Sequence, residues 1–158
     1  VGGTAATSVQ WVSDSSIWCV TAGGIGTNDV SMSLAGATSV FQAAFSYASP
    51  VVSSLTPSWA LSSGGSTVTV NGRHFSPFAH NVSVRLGSTE CNSSAWLSDS
   101  ALTCVVSPGA YIDLPVTVTI QQSYDPSVRV NSTLQRGFSY SSGSCADILK
   151  YEPASPSG

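Results

Sequence analysis

Residues 53–75, SSLTPSWALSSGGSTVTVNGRHF, contain the clearest indication of the fold. Gly64 and Gly65 suit a tight turn. The residues after them alternate between apolar and polar side chains, which is typical of a half-buried β-strand. Gly72 suits a bend with positive φ, and Phe75 is a candidate core residue. The stretch therefore predicts a turn that leads into a strand of a β-domain.

The same alternation recurs along the chain, and turn residues lie between its occurrences. The further strand-like segments are NVSVRLG (81–87), LPVTVTI (114–120) and QRGFSYS (135–141). No stretch longer than a turn has the 3.6-residue apolar period of an amphipathic helix. Short strands separated by turns predict an all-β fold, an immunoglobulin-like β-sandwich with about 100 residues in each unit.

Composition narrows the classes of function. Charged residues make up 8% of the 158 residues, so Ser, Thr, Asn, Gly or attached sugar must cover the surface. The five basic residues are too scattered to form the basic stripe that nucleic acid requires, so nucleic acid is excluded as a partner. No apolar run approaches the roughly 20 residues of a membrane-spanning helix. The five basic residues are Arg73, Arg85, Arg129, Arg136 and Lys150.

Two features favour an extracellular or cell-surface location for a secreted chain. Asn81, Asn92 and Asn131 each begin an N-x-S/T tripeptide, the acceptor of N-linked glycans. The four cysteines include no C-x-x-C motif and no Cys/His cluster, which favours disulfides over a metal site. Covalent glycans are therefore expected, but no cofactor.

The chain contains an internal repeat. Residues 1–20 align on residues 86–105 without a gap, and a tryptophan, an SDS tripeptide and a cysteine coincide. Further along, VSMSL aligns on VTVTI and AFSY on GFSY. Residues 1–48 therefore repeat the back half of a unit, whose front half, residues 51–85, has no earlier counterpart.

The C-terminal tail resembles the opening strand of another unit. DILKYEP (147–153) aligns with VVSSLTP (51–57), so that the prolines coincide. The predicted organisation is a partial unit at 1–48, a complete unit at 49–141 and a tail at 142–158. The tail residues that would act as a donor strand are Ile148, Leu149, Tyr151 and Pro153.

The repeated unit resembles a known family. Residues 53–75 contain the pattern S-x-x-P…G-G-x-x-V-x-V-x-G-x-x-F, and a segment bounded by cysteines and a final GFSY follow. This pattern resembles the IPT/TIG domain, the immunoglobulin-like fold of plexin-type receptors, some transcription factors and many extracellular repeat proteins. The resemblance covers 51–140 completely and 1–48 in part. It implies tandem IPT/TIG units, one partial and one complete, followed by a donor-like strand.

The cysteines lead to two hypotheses. Cys91 and Cys104 lie on either side of a tryptophan, and we interpret them as an intradomain disulfide, with two buried thiols as the alternative. In the partial unit, Ala6 takes the place of Cys91, so Cys19 lacks that partner. An intersubunit disulfide between Cys19 and Cys145 is one hypothesis. The alternatives are two free thiols, or pairing with residues outside this sequence.

Catalysis finds no support in the sequence, and we predict that the chain is not an enzyme. The acidic residues are scattered, and His74 and His80 belong to no catalytic or metal-binding motif. The tryptophans allow stacking on carbohydrate, as in an accessory domain of a carbohydrate-active enzyme, but packing in the core or between domains is the favoured interpretation. They are Trp11, Trp18, Trp59 and Trp96.

The leading hypothesis for function follows from the partial unit. A half domain leaves unpaired backbone groups and an uncovered apolar face, which a strand from a neighbour can satisfy. A donor at one end and an acceptor at the other produce a head-to-tail homopolymer. We therefore expect a glycosylated structural subunit of a filament or surface appendage. Its partners are copies of itself, with other cell-surface proteins or glycans as further candidates.

The alternative hypothesis is a segment of a longer tandem IPT/TIG protein, either a receptor ectodomain or an adhesin that acts in cell adhesion. It is favoured by the length of the front half that the partial unit lacks. The tail resembles a single strand, whereas residues 51–85 contain several.

Overall fold

The protein is described by a computed structural model, which covers residues 1–123 and 125–143. In these residues the chain forms strands and no helix, and the predicted all-β class is confirmed. The strands are β1 (Ser8–Ser13), β2 (Ser16–Val20), β3 (Thr27–Leu34), β4 (Ala37–Ser46), β5 (Val51–Thr56), β6 (Trp59–Leu61), β7 (Thr67–Arg73), β8 (Asn81–Leu86), β9 (Thr89–Glu90), β10 (Ser93–Ser98), β11 (Ala101–Val105), β12 (Leu114–Gln121) and β13 (Arg129–Ser141).

Strands β5 to β13 form a β-sandwich, which we call the complete sandwich. One sheet has the order β10-β11-β7-β5, and the other has the order β6-β13-β12-β8-β9. The alternation in the sequence sets which side chains face inward: on β12, Val116, Val118 and Ile120 are fully buried, while the threonines between them are not. The predicted immunoglobulin-like sandwich is therefore confirmed for this part of the chain.

In residues 53–75, the structure confirms the predicted turn but not the predicted bend. Gly64 and Gly65 have φ of 72° and 83°, so both need the left-handed region that glycine favours. Phe75 is fully buried, as expected. The prediction for Gly72 is wrong, because its φ is not positive. It is a close-approach position, where a Cβ would collide with the carbonyl oxygen of Val51 and the ring of Phe75.

The disulfide between Cys91 and Cys104 is present, with Cα atoms 5.7 Å apart. Cys104 lies in β11 and is fully buried, whereas Cys91 follows β9. The bond therefore connects β11 of one sheet to the residue that follows β9 of the other, and the predicted intradomain disulfide is confirmed.

Residues 1–48, which we call the N-terminal segment, form two separate hairpins. β1 pairs with β2 and β3 pairs with β4, both antiparallel, and each pair is a two-stranded sheet. Two-stranded sheets bury little apolar surface by themselves. The segment thus differs from the complete sandwich, in which β11, β12 and β13 each have a second neighbouring strand.

Candidate functional site

The first hairpin of the N-terminal segment has the register of the β10–β11 hairpin. Both ladders also have an irregularity at the same place, between Trp11 and Ser13 in the first and between Trp96 and Ser98 in the second. The repeat in the sequence is therefore also a repeat of backbone pairing. The matched pairs include Ser8–Val20 and Ser93–Val105, Val9–Cys19 and Ser94–Cys104, and Trp11–Ile17 and Trp96–Leu102.

The second hairpin, β3–β4, has the same irregular pairing as the β12–β13 hairpin, near the start of β3 and of β12 respectively. In both hairpins the ladder is irregular at that point. The opposite strand carries a residue with positive φ, which is Ala43 at 49° and Arg136 at 52°. Positive φ is uncommon for residues other than glycine. The shared backbone conformation therefore supports the alignment of these two hairpins.

A tyrosine hydrogen bond is also repeated. The Tyr140 hydroxyl donates to the carbonyl oxygen of Ser107 at 2.9 Å, and the Tyr47 hydroxyl donates to the carbonyl oxygen of Ala22 at 2.7 Å. Each ring makes an edge-to-face contact with the phenylalanine two positions earlier, with centroids 5.2 and 5.0 Å apart. These bonds fasten each β13-type strand to the loop before its partner strand. The sequence analysis did not identify them, although the recurring FSY was their signal.

The N-terminal segment exposes the side chains that the complete sandwich buries. Matched positions of the two parts have opposite exposure, because β7 and β8 cover these positions in the complete sandwich only. The matched side chains, with their exposed fractions, are Ile17 (39%) and Leu102 (0%), Met32 (46%) and Val118 (0%), and Leu34 (66%) and Ile120 (0%). The face that would be a core is therefore open; we call it the open face.

A cleft of about 640 Å³ lies along the open face, between the two hairpins. Its apolar lining comes from both hairpins, so it follows the plane in which the two sheets of a sandwich would meet. Its lining includes Val9, Trp11, Ile17, Cys19, Val30 and Met32. Exposed apolar surface of this kind is the usual mark of an interaction site.

Two strand edges border the open face. β11 pairs with β7 and β12 pairs with β8, but among the described residues their counterparts β2 and β3 have no second neighbour. Apart from the Asp29 carbonyl, which accepts a hydrogen bond from the Gly2 N–H, the outward backbone N–H and C=O groups of these edges have no strand partner in the described residues, so an added strand can pair with them. The open face therefore offers both apolar contacts and strand pairing.

The proposed donor tail is aligned with β5, which occupies a different place. In the complete sandwich β5 pairs with β7 and not with β11 or β12. A strand in the β5 position would therefore reach neither the β2 edge nor the β3 edge. The tail residues themselves lie outside the described residues, as does one of the predicted cysteines: Cys145, Ile148, Leu149, Tyr151 and Pro153.

Cys19 lies on the open face, in the position of Cys104. It is exposed and carries a free thiol in the described part of the chain. Ala6 lines the same cleft, in the position of Cys91. The pairing of Cys19 with Cys145 stays a prediction.

The three glycan acceptors are exposed. Asn81 begins β8 and Asn131 lies in β13, and both are on the outer face of the five-stranded sheet. Asn92 lies between β9 and β10, where its side-chain carbonyl accepts a hydrogen bond from the Ser107 hydroxyl at 2.8 Å. Their exposure is compatible with modification, and modification stays a prediction.

The tryptophans differ in burial. Trp96 is half-buried against the core, and its indole N–H donates to the carbonyl oxygen of Ser76 at 3.1 Å. Trp11, its counterpart, is 66% exposed, because the N-terminal segment has no strands to cover it. The favoured packing in the core or between domains is therefore seen for Trp96 but not for Trp11 within the described residues. Trp18 and Trp59 are also exposed.

The titratable groups form no reactive cluster in the described residues, where no three His, Cys, Asp or Glu side chains lie close enough to hold a metal ion. Burial lowers the pKa of His80. Hydrogen bonds from the Ser127 hydroxyl and backbone N–H lower the pKa of Asp125. Burial raises the pKa of Tyr140, whose proton takes part in the bond described above.

The loop before β3 packs against the complete sandwich. Ile25 is 2% exposed and belongs to the same core cluster that Val128 and Val130 pack against. A Cβ on Gly26 would lie 3.1 Å from Val128, and a Cβ on Gly23 would lie 2.6 Å from the ring of Pro77. The two parts of the chain are thus joined by a close contact, which needs small residues in this loop.

The equivalent loop of the complete sandwich is exposed. The Tyr47 N–H donates to the carbonyl oxygen of Gly26, as the Tyr140 N–H donates to that of Tyr111, so Gly26 and Tyr111 are equivalent. Tyr111 is 80% exposed and the next residue, Ile112, is 63% exposed. The complete sandwich therefore exposes an apolar surface at the position where, in the N-terminal segment, the loop before β3 contacts the next unit.

Comparison with known proteins agrees with the geometry. A family model, described as the IPT/TIG domain, matches residues 50–141, which include β5 to β13. No curated protein matches the chain. Within residues 1–123 and 125–143, no helix is long and apolar enough to cross a membrane.

Proposed function

The chain belongs to the IPT/TIG family, and we propose that it is an interaction module in a tandem array of such units in a longer extracellular protein. IPT/TIG domains are typically structural or interaction domains and not enzymes. The proposal therefore assigns the chain a role in spacing and binding. The disulfide between Cys91 and Cys104 fits an oxidising, extracellular compartment.

The contact between the N-terminal segment and the complete sandwich carries this proposal. Ile25 is buried where the loop before β3 meets the next unit, so successive units bury apolar surface against each other. The matching loop of the complete sandwich carries exposed Tyr111 and Ile112. A following unit would cover these side chains in the way that the complete sandwich covers Ile25. This is the arrangement of a tandem array.

The module would bind other cell-surface proteins or glycans through its uncovered surfaces. Glycans on Asn81 and Asn131 would cover the outer face of the five-stranded sheet, and so direct partners to the loops at either end. With charged residues at only 8%, such glycans would also keep the array soluble.

The array proposal is tested on native protein. An antibody against residues 49–141 is applied to intact and to permeabilised cells, and the recognised protein is sized by electrophoresis with and without reductant. We expect labelling of intact cells and one band well above 16.2 kDa under both conditions. Labelling that requires permeabilisation, or a product of 16.2 kDa under both conditions, would overturn the proposal.

The exposed thiol of Cys19 favours a second candidate function, a subunit that assembles head to tail into a filament or surface appendage. In this case a neighbouring copy supplies the covering strand, with Cys19 and Cys145 as an intersubunit disulfide. A tail in the β5 position would not reach the edges of the open face, so the donor strand would have to lie elsewhere. The same electrophoresis separates the two candidates. A ladder that collapses to one band on reduction, together with a cross-linked Cys19–Cys145 peptide in mass spectrometry, would establish the filament subunit.

A further inference from the structure

We propose that the open face binds the front half of an IPT/TIG unit, a segment with strands of the β7 and β8 type, carried by the same polypeptide ahead of residue 1. The proposal deepens the proposed function and rests on it, since it requires a longer tandem chain. Its basis is the complete sandwich, which shows what covers the same face when a unit is whole. The proposal specifies the register of both strands.

The first strand would pair with the outer edge of β2. In the complete sandwich, Val68 lies opposite Cys104 and Val70 lies opposite Leu102. The corresponding positions of β2 are Cys19 and Ile17, and both face the cleft. An apolar residue of the incoming strand is therefore expected opposite each of them, as in the VTV pattern of β7.

The second strand would pair with the outer edge of β3. In the complete sandwich, Val84 lies opposite Val118 and Val82 lies opposite Ile120. Their counterparts on β3 are Met32 and Leu34, which are 46% and 66% exposed. A strand with the pattern of β8 would bury both.

The first residues of the chain already lie where a β8-type strand would end. The Gly2 N–H donates to the carbonyl oxygen of Asp29 at 2.9 Å, as the Gly87 N–H donates to that of Pro115 at 2.7 Å. Both glycines have positive φ, of 57° and 64°. Gly87 follows the last residue of β8 directly. A covering strand that leads into Val1 therefore needs no further connection.

The two strand edges and the position of Gly2 also identify which segment would cover the open face. A strand of the β5 type, which the C-terminal tail resembles, reaches neither edge that borders the cleft. The β7 and β8 of a second copy are already paired within its own sandwich. A front half that precedes residue 1 satisfies both edges and the position of Gly2 together.

The test adds the missing half to the full chain. A second copy of residues 51–85 is fused directly to Val1 of the 158-residue protein, because the alignment of 1–20 on 86–105 has no gap. The control carries Val68→Asp and Val70→Asp in the added copy alone. The rate at which a thiol reagent modifies Cys19 is then measured by mass spectrometry of its peptide in the original chain, the extended chain and the control.

We expect Cys19 in the extended chain to react roughly tenfold more slowly, or slower still, because a buried thiol reacts only after local opening. The control should restore the fast rate. Equal rates in the original and extended chains would overturn the proposal. It would also be overturned if a free peptide of residues 144–158 protected Cys19 and the extension did not. Neither result affects the size and location of the native protein, so the array proposal is tested separately.

A further variant tests whether the first hairpin of the extended chain has the position of the β10–β11 hairpin. Ala6→Cys places a second cysteine where Cys91 lies relative to Cys104. The backbone there matches, because the Thr7 N–H donates to Val20 at 2.8 Å, as the Asn92 N–H donates to Val105. We expect a disulfide between the introduced cysteine and Cys19 in the extended chain. Two free thiols under oxidising conditions would contradict the equivalence of Ala6 with Cys91, on which the alignment of the two units depends.

Discussion

The Tyr140 hydroxyl donates a hydrogen bond of 2.9 Å to the carbonyl oxygen of Ser107, and thereby ties the last strand of the sandwich to the loop after β11. Both residues are buried. Removal of the hydroxyl leaves a buried carbonyl oxygen without this donor, which typically costs about 1–3 kcal/mol. The bond is therefore a local constraint on the sandwich, similar to the tyrosine corner of immunoglobulin-like domains.

Tyr140→Phe is predicted to lower the free energy of unfolding by about 1–3 kcal/mol. Urea unfolding followed by fluorescence measures this change. Tyr111→Phe is the matched control, because the Tyr111 side chain is largely exposed and its hydroxyl loss should cost less than about 0.5 kcal/mol. Equal effects of the two substitutions would contradict the role assigned to Tyr140.

Gly72→Ala is predicted to destabilise the sandwich more than Gly65→Ala. A Cβ at Gly72 collides with the backbone of Val51 and the buried ring of Phe75, so a strand or a core side chain must shift. At Gly65 nothing lies within 4 Å, and the cost is only that of positive φ, about 1–2 kcal/mol. Thermal unfolding of both variants compares them. A smaller loss for Gly72→Ala would show that β5 and β7 do not approach each other as described.

The sandwich is predicted to lose stability as the pH falls below about 6.5, with His80 as one cause. Burial lowers the pKa of folded His80, so the unfolded chain binds the proton more readily than the folded chain. His80→Gln should reduce this loss between neutral pH and the lowered pKa. The measurement is the urea midpoint at a series of pH values. Identical pH dependence in the variant and the original protein would exclude His80 as a contributor.

Asn81, Asn92 and Asn131 are predicted to carry N-linked glycans in native material. All three are exposed and each begins an acceptor tripeptide. Treatment with an amidase that removes N-glycans should convert each modified asparagine to aspartate, which peptide mass spectrometry detects. Unmodified asparagine at all three positions would argue against the extracellular assignment.

Local alternation of apolar and polar residues predicted the strands. The internal repeat also predicted that two hairpins pair in the same way. The gapless alignment of residues 1–20 on 86–105 matches the pairing of both hairpins. The disulfide between Cys91 and Cys104 was also predicted, because the two cysteines flank one hairpin strand of a repeated unit.

Features that depend on distant pairing were not predicted. The conformation of Gly72 is set by the approach of Val51, which no local pattern encodes. The exposure of Trp11 depends on strands that the N-terminal segment does not contain, although the sequence aligned it with Trp96. The edges that border the open face follow from sheet order, which is a property of the whole sandwich. For this reason the sequence identified an incomplete unit and the front half that it lacks, but not the strand edges with which that half would pair.

Hydrogen exchange of the native, full-length protein tests most directly whether the open face is covered in an array. The amides to compare are those of β2 and β3 that point away from their hairpin partners, in the native protein and in the 158-residue chain. We expect these amides to be protected in the native protein to the level of their counterparts in β11 and β12, and to exchange rapidly in the 158-residue chain. Rapid exchange in both would contradict this expectation.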